Sequence, residues 1–120
     1  MANLLTVMLG GAIGSAFRYQ LGRTALHHMG AGFPWGTLIV NLVGGLLMGV
    51  LAGVVINDGA VDRPLWLFLG VGVLGGFTTF SAFSLDAAVM WQRGDYAVLS
   101  AYIIGSVALS IGALFLGMIA

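Results

Sequence analysis

Three long stretches of this chain contain no charged residue. They are Phe33–Ile56, Pro64–Leu85 and Tyr96–Ala120, which run for 24, 22 and 25 residues. A membrane-spanning helix needs about 20 apolar residues, so each stretch is long enough to cross a bilayer. An apolar segment also precedes Arg18. We therefore predict an all-α membrane protein, a single domain over residues 1–120, with four transmembrane helices near residues 2–26, 33–56, 64–91 and 96–120.

Composition excludes several other classes of protein. Hydrophobic residues make up 60% of the chain and charged residues only 7%, whereas a soluble domain carries about 25% charge. The net charge is zero, which argues against nucleic-acid binding and against a polybasic lipid-binding tail. Cysteine is absent, and no spacing typical of a catalytic triad, a zinc site or a phosphate loop occurs. We expect no enzymatic activity.

The first apolar segment has no basic residues ahead of it, unlike a cleaved signal peptide, so we expect it to be a membrane span. With four spans, the termini and the loop near Asn57–Arg63 lie on one side. Arg93, together with Arg18 and Arg23, lies on the other. The arginine bias that orients membrane proteins is therefore small. Two explanations are open. The orientation is simply hard to predict from so few charges, or both orientations occur and two copies pair antiparallel.

The segment Gly75–Ser84, GGFTTFSAFS, interrupts the third predicted span. Paired glycines weaken a helix, and paired threonines offer its backbone competing hydrogen bonds. Irregular backbone at membrane depth persists only where protein or an aqueous pathway surrounds it. We therefore predict a third helix that is broken near its middle, beside an ion or substrate site. The freed carbonyls would suit a cation, and the freed amides and hydroxyls an anion.

Several polar residues occur inside the predicted spans. Asn41 follows Thr37 by one helical turn, and an amide in hydrocarbon must be hydrogen bonded. Interhelical packing alone would explain it. Tyr102, Ser106 and Ser110 recur every four residues and so share one helix face. This line is either a hydrated track or a structural stripe of serines bonded to their own helix.

The glycines and the remaining polar residues have more ordinary explanations beside the functional ones. Gly45, Gly49 and Gly53 recur every four residues, which is typical of close helix packing in membranes. Asp86 is an intramembrane acid and hence a functional candidate, although it is close to a helix end. Arg18 either reaches towards the membrane surface or gives a vestibule a positive potential. Adjacent histidines at 27 and 28 diverge, so we expect no metal site there.

The chain resembles the Fluc/CrcB family of small fluoride channels. The resemblance spans nearly the whole sequence and is carried by three motifs in the family's order and spacing, of which the third is the most specific. These motifs are GGAIGS leading to Arg18-Tyr19, then GTLIVN ending at Asn41, then the segment Gly75–Ser84. Two positions depart from the family pattern, with Ala82 in place of a frequent hydroxyl residue and Asp86 in place of a common glutamate.

The resemblance implies an antiparallel, dual-topology homodimer in a bacterial inner membrane, with lipid around it. It implies two fluoride pathways and one structural sodium ion at the dimer interface, held by the backbone carbonyls of Gly75 and Thr78. Asn41, Phe80 and Phe83 match residues that line the fluoride path, and Arg18 matches a vestibule arginine. The polar-track positions implied are Thr37, Thr79, Ser81, Ser84, Tyr102, Ser106 and Ser110.

The function implied is passive export of fluoride, which lowers its cytoplasmic concentration. Two alternatives come from other classes. A small proton-coupled multidrug transporter also has four helices, but it requires a glutamate in the first helix, and this chain contains none. A non-conducting assembly subunit would use the same polar residues for packing only, and ion flux separates it from a channel.

Overall fold

The computed structural model describes residues 1–58 and 63–119, and this part of the chain contains helices and no strand. The first helix is Ala2–Met29 and the second is Trp35–Asp58. Residues 63–77 form a third helix, in which Leu67–Leu74 has wider π-helical turns. The fourth helix is Ser81–Arg93, and the last is Tyr96–Ile119. The predicted all-α fold is confirmed for these residues.

Three segments of the described chain have the length and hydropathy of a membrane span: Trp35–Val54, Pro64–Arg93 and Tyr96–Ile119. The first helix is long enough but less apolar, because its glycines and polar residues lower its mean hydropathy. Its role as a span stays a prediction. The predicted loop near Asn57–Arg63 includes residues 59–62, which lie outside the described residues, as does Ala120.

Glycines bring the first helix against the third at backbone distance. A Cβ atom placed on Gly10 would lie 2.5 Å from the carbonyl oxygen of Phe68 and 2.9 Å from the Cα atom of Gly72. A Cβ atom on Gly76 would lie 2.5 Å from the carbonyl oxygen of Gly11. Only glycine permits so close an approach, and such packing replaces the hydrophobic drive that helices lack in lipid.

A second glycine contact joins the second helix to the last one. Cβ atoms on Gly45 and Gly53 would each lie 2.7 Å from a carbonyl oxygen, that of Ser110 and that of Met118 respectively. Gly49 lies between them and meets the carbonyl oxygen of Leu114. The four-residue repeat on one helix therefore matches a four-residue repeat of carbonyls on the other. The predicted packing role of this stripe is confirmed.

The backbone leaves the helical conformation at residues 78–80, within the predicted segment Gly75–Ser84. Thr78 is extended, with φ −87° and ψ 159°, and the chain returns to helix at Ser81. We call residues 78–80 the break. The π-helical turns end at Leu74, with the three residues Gly75–Phe77 between them and the break, and such turns are often found at functional sites.

Candidate functional site

Asn41, on the second helix, binds the backbone of the break with both ends of its carboxamide. Its Nδ2 donates to the carbonyl oxygen of Thr79, and its Oδ1 accepts from the Thr79 amide, at 2.9 Å each. These are groups that an unbroken helix would have paired internally. An amide side chain on the neighbouring helix thus satisfies both backbone polar groups of Thr79, the middle residue of the break.

The two threonines of the break bond locally, in opposite directions along the chain. Thr78 donates from its amide and from Oγ1 to the carbonyl oxygen of Leu74, at 3.1 and 2.9 Å. Thr79 Oγ1 accepts from the amide of Ala82 at 3.1 Å, and so satisfies a free amide in the first turn of the fourth helix, as capping side chains do. Thr78 therefore ends one helix and Thr79 starts the next.

Arg18, on the first helix, reaches the backbone just before the break. Its Nε donates to the carbonyl oxygen of Gly76 at 3.1 Å, in partly buried surroundings. Arg18 also borders a cavity of about 310 Å³ that includes Arg23, Thr37 and Thr79 in its lining. The arginine predicted for a vestibule is therefore bonded to the backbone just before the break.

A larger cavity of about 550 Å³ lies on another side of the break, between the second and last helices. We call it the groove. It brings together eight of the residues singled out from the sequence: Asn41, Gly75, Thr78, Thr79, Phe80, Phe83, Ser106 and Ser110. The second, third, fourth and last helices, with the break, each supply part of this lining.

Four polar groups that border the groove have no hydrogen-bond partner within the described residues. The hydroxyl oxygens of Ser106 and Ser110 are buried and unbonded. They do not bond back to their own helix, unlike Ser84, whose Oγ donates to the carbonyl of Phe80 at 2.9 Å. The carbonyl oxygens of Gly75 and Thr78 also accept no hydrogen bond in this part of the chain. Buried polar groups are normally satisfied, so the two serine hydroxyls indicate room for a ligand. Gly75 is exposed and Thr78 is half-buried, and carbonyls at the end of a helix are ordinarily left without a partner in that helix.

The two phenylalanines of the segment differ sharply in exposure. The Phe80 side chain is 76% exposed, whereas Phe83 is 8% exposed. Their ring centroids are 5.5 Å apart, and Phe83 in turn lies 5.0 Å from the ring of Tyr102. Phe83 is thus anchored in the core, and Phe80 extends from it to the open side of the groove.

The hydroxyl of Tyr102, unlike those of the two serines, has a hydrogen-bond partner. Its side chain is 1% exposed, and its hydroxyl donates to Oδ2 of Asp86 at 3.0 Å. Asp86 and Thr37 border a third cavity, of about 420 Å³, near the ends of the first and fourth helices. The predicted line Tyr102–Ser106–Ser110 therefore splits, with the serines in the groove and the tyrosine hydroxyl held by an acid.

Ser81 and Ser84 are exposed and lie outside the lining of the groove. Ser81 Oγ lies 3.3 Å from Thr79 Oγ1. The apolar part of the groove was not predicted from the sequence; it is formed by Gly44, Met48, Val107, Ile111 and Leu114. Helical spacing from Ser110 would have found Val107 and Leu114, and spacing from Val107 would have found Ile111, because residues three or four positions apart share a helix face.

Backbone oxygens are the candidate cation ligands in this chain. The described residues contain no group of three or more His, Asp or Glu side chains that would hold a metal ion. The unbonded carbonyls of Gly75 and Thr78 are oxygen donors of the type that replaces the hydration shell of an alkali cation in channels. Donors of this type would suit an alkali cation such as sodium.

Comparison with known proteins places the whole site within a region of similarity. Residues 5–118 match a family model described as CrcB-like protein, Camphor Resistance (CrcB). The "Fluoride-specific ion channel FluC" of Phenylobacterium zucineum (strain HLK1) is 51% identical over 120 residues, covering 99% of this chain and 94% of that protein. The protein of the same name from Novosphingobium aromaticivorans is 52% identical over 114 residues, covering 93% of this chain and 90% of that protein.

Proposed function

The chain belongs to the CrcB family, and we propose that it is a fluoride-specific ion channel that lets fluoride leave the cell passively. The observation that carries this proposal is the pair of buried, unbonded hydroxyls of Ser106 and Ser110 in the groove. A hydroxyl without a partner can donate to an anion without first breaking a bond in the protein. The inside-negative membrane potential then drives the anion outwards, so transport needs no coupling to a further source of energy.

Hydrogen-bond donors, and not fixed cations, would replace the water around fluoride in the groove. The chain contains no lysine. Asn41 keeps one Nδ2 hydrogen beyond the one it donates to Thr79. Phe80 presents an exposed ring whose edge carries partial positive charge. Such donors bind an anion weakly enough to release it, as conduction requires.

We propose that residues 64–91 form one membrane span interrupted at the break, and that the first helix completes a set of four spans. The break would then lie at membrane depth, where each freed backbone group needs a partner. The pairing of Asn41 with Thr79 and of Arg18 with Gly76 supports this placement. Residues 1–120 would form one multi-pass domain in the bacterial inner membrane.

We further propose that two copies pair antiparallel and share one sodium ion at their interface. The support is that Gly75 and Phe80 are exposed in the single chain although both belong to the groove. The carbonyls of Gly75 and Thr78 from both copies would hold the ion, which supplies positive charge beside the fluoride paths. The small arginine bias is compatible with insertion in either orientation.

Anion efflux from liposomes tests the proposed function. Purified protein is reconstituted with potassium fluoride inside, and efflux is started with a potassium ionophore and read with a fluoride electrode. We expect rapid fluoride efflux and little chloride efflux under the same gradient. Equal rates for the two anions would contradict fluoride specificity, and no flux of either would favour a non-conducting assembly subunit. Proton-coupled uptake of an organic cation would favour the multidrug transporter.

A further inference from the structure

Arg18 is the charged side chain that contacts the backbone beside the break, and the bond it makes is specific. Its Nε donates to one carbonyl oxygen, that of Gly76, across 58 positions of sequence. Arg23, five residues later on the same helix, instead stacks over the ring of Tyr19 at 5.9 Å. A charge that only attracted anions into a vestibule would not need this directed bond.

The Gly76 carbonyl, which accepts the hydrogen bond of Arg18, belongs to the residue that follows Gly75, and Gly75 borders the groove. Successive residues of a helix are turned by about 100°, so Gly75 and Gly76 present different sides. Gly75 and Thr78 border the groove, while the carbonyl of Gly76 meets Arg18. The first helix also presses directly against this turn, since a Cβ atom on Gly76 would lie 2.5 Å from the Gly11 carbonyl oxygen.

We infer that Arg18 is a positioning residue, which fixes the last turn before the break so that the carbonyls of Gly75 and Thr78 stay directed to a cation. A helix ending in a membrane leaves several carbonyls unpaired, and a cation near a helix C-terminus stabilises that end. By bonding Gly76 alone, Arg18 pins the turn and leaves the neighbouring carbonyls free. This inference rests on the proposed function, because the cation is the sodium ion proposed above.

The variant Arg18→Gln tests this role, with Arg23→Gln as the matched control because it removes the same charge from the same helix. Thermal unfolding of each protein in detergent is followed across a sodium titration, with N-methylglucamine as the replacement cation. We expect wild type and Arg23→Gln to be stabilised over the same sodium range. We expect Arg18→Gln to need about tenfold more sodium, since a hydrogen bond to a charged group is lost.

Each outcome of the titration either supports or overturns the positioning role of Arg18. Equal midpoints for Arg18→Gln and Arg23→Gln would overturn the positioning role and leave Arg18 as a simple charge. A wild-type protein that does not respond to sodium would also overturn it, while fluoride efflux from liposomes separately decides whether the protein is a channel. If Arg18→Gln does not fold, Arg18→Lys replaces it, and an unchanged sodium midpoint there would overturn the need for the guanidinium.

Discussion

The carboxamide of Asn41 pairs with the backbone of Thr79 through two hydrogen bonds of 2.9 Å. This pairing joins the second helix to the break and uses both the donor and the acceptor ends of the side chain. Asn41 therefore does two things in the proposed channel. It replaces the helical bonds lost at Thr79, and its remaining Nδ2 hydrogen is available to an anion in the groove.

Asn41→Asp is expected to destabilise the protein and to reduce fluoride efflux. The carboxylate keeps an acceptor for the Thr79 amide but loses the donor to the Thr79 carbonyl, so two oxygens face each other. Leaving that carbonyl unbonded costs about 1–3 kcal/mol. Thermal unfolding and liposome efflux measure the two effects. Val43→Ala, an exposed position on the same helix, is the control. A wild-type melting temperature for Asn41→Asp would show that the pairing with Thr79 contributes nothing.

Ser106→Ala and Ser110→Ala are expected to lower efflux without lowering stability. Both hydroxyls are buried and unbonded, so alanine removes an unsatisfied polar atom at nearly constant volume. The melting temperature should stay the same or rise, while efflux falls by about tenfold for the loss of one donor to an ion. Ser84→Ala is the control, since Ser84 lies outside the lining of the groove and its hydroxyl already donates to the carbonyl of Phe80. Equal efflux from all three variants would remove the serines from the fluoride path.

Phe80→Ile and Phe83→Ile should separate conduction from packing. Phe80 is 76% exposed, so its replacement should change the unfolding free energy of the chain by less than about 0.5 kcal/mol. Efflux should nevertheless fall, because the ring edge that faces the groove is lost. Phe83 is buried against Tyr102, and its replacement should cost about 1–3 kcal/mol. An efflux rate unchanged in Phe80→Ile is the result a purely structural protein would give.

The distribution of charge and glycine predicts the helical class and the location of the break. Long uncharged stretches indicate the apolar helices, because the thickness of the bilayer fixes how long such a stretch must be. Gly75-Gly76 and Thr78-Thr79 indicate the irregular backbone, because glycine weakens a helix and threonine offers its backbone competing hydrogen bonds. The partners across helices were not predictable in this way. Asn41 is 38 positions from Thr79 and Arg18 is 58 from Gly76, so only the packing of the helices brings these groups together.

The different bonding of Tyr102 and of the two serines on the last helix was also not predictable from the sequence. Spacing alone places Tyr102 with Ser106 and Ser110 on one face. The Tyr102 hydroxyl is nevertheless bonded to Asp86, 16 positions earlier, while neither serine has a partner in the described part of the chain. Sequence spacing reports which side chains share a face, and it does not report which of them already have a hydrogen-bond partner.

Gly49→Ala is expected to destabilise the protein, whereas Gly112→Ala is expected to be tolerated. A Cβ atom on Gly49 would collide with the carbonyl oxygen of Leu114, and a backbone atom cannot move aside as a flexible side chain can. Such overpacking costs about 1–3 kcal/mol. No atom of the described residues lies within 4 Å of a Cβ atom added to Gly112, and alanine is favoured over glycine in a helix by about 1 kcal/mol. Unfolding in a mixed detergent titration measures both variants against wild type. Equal stabilities would mean that the second and last helices do not approach each other at backbone distance along Gly45, Gly49 and Gly53.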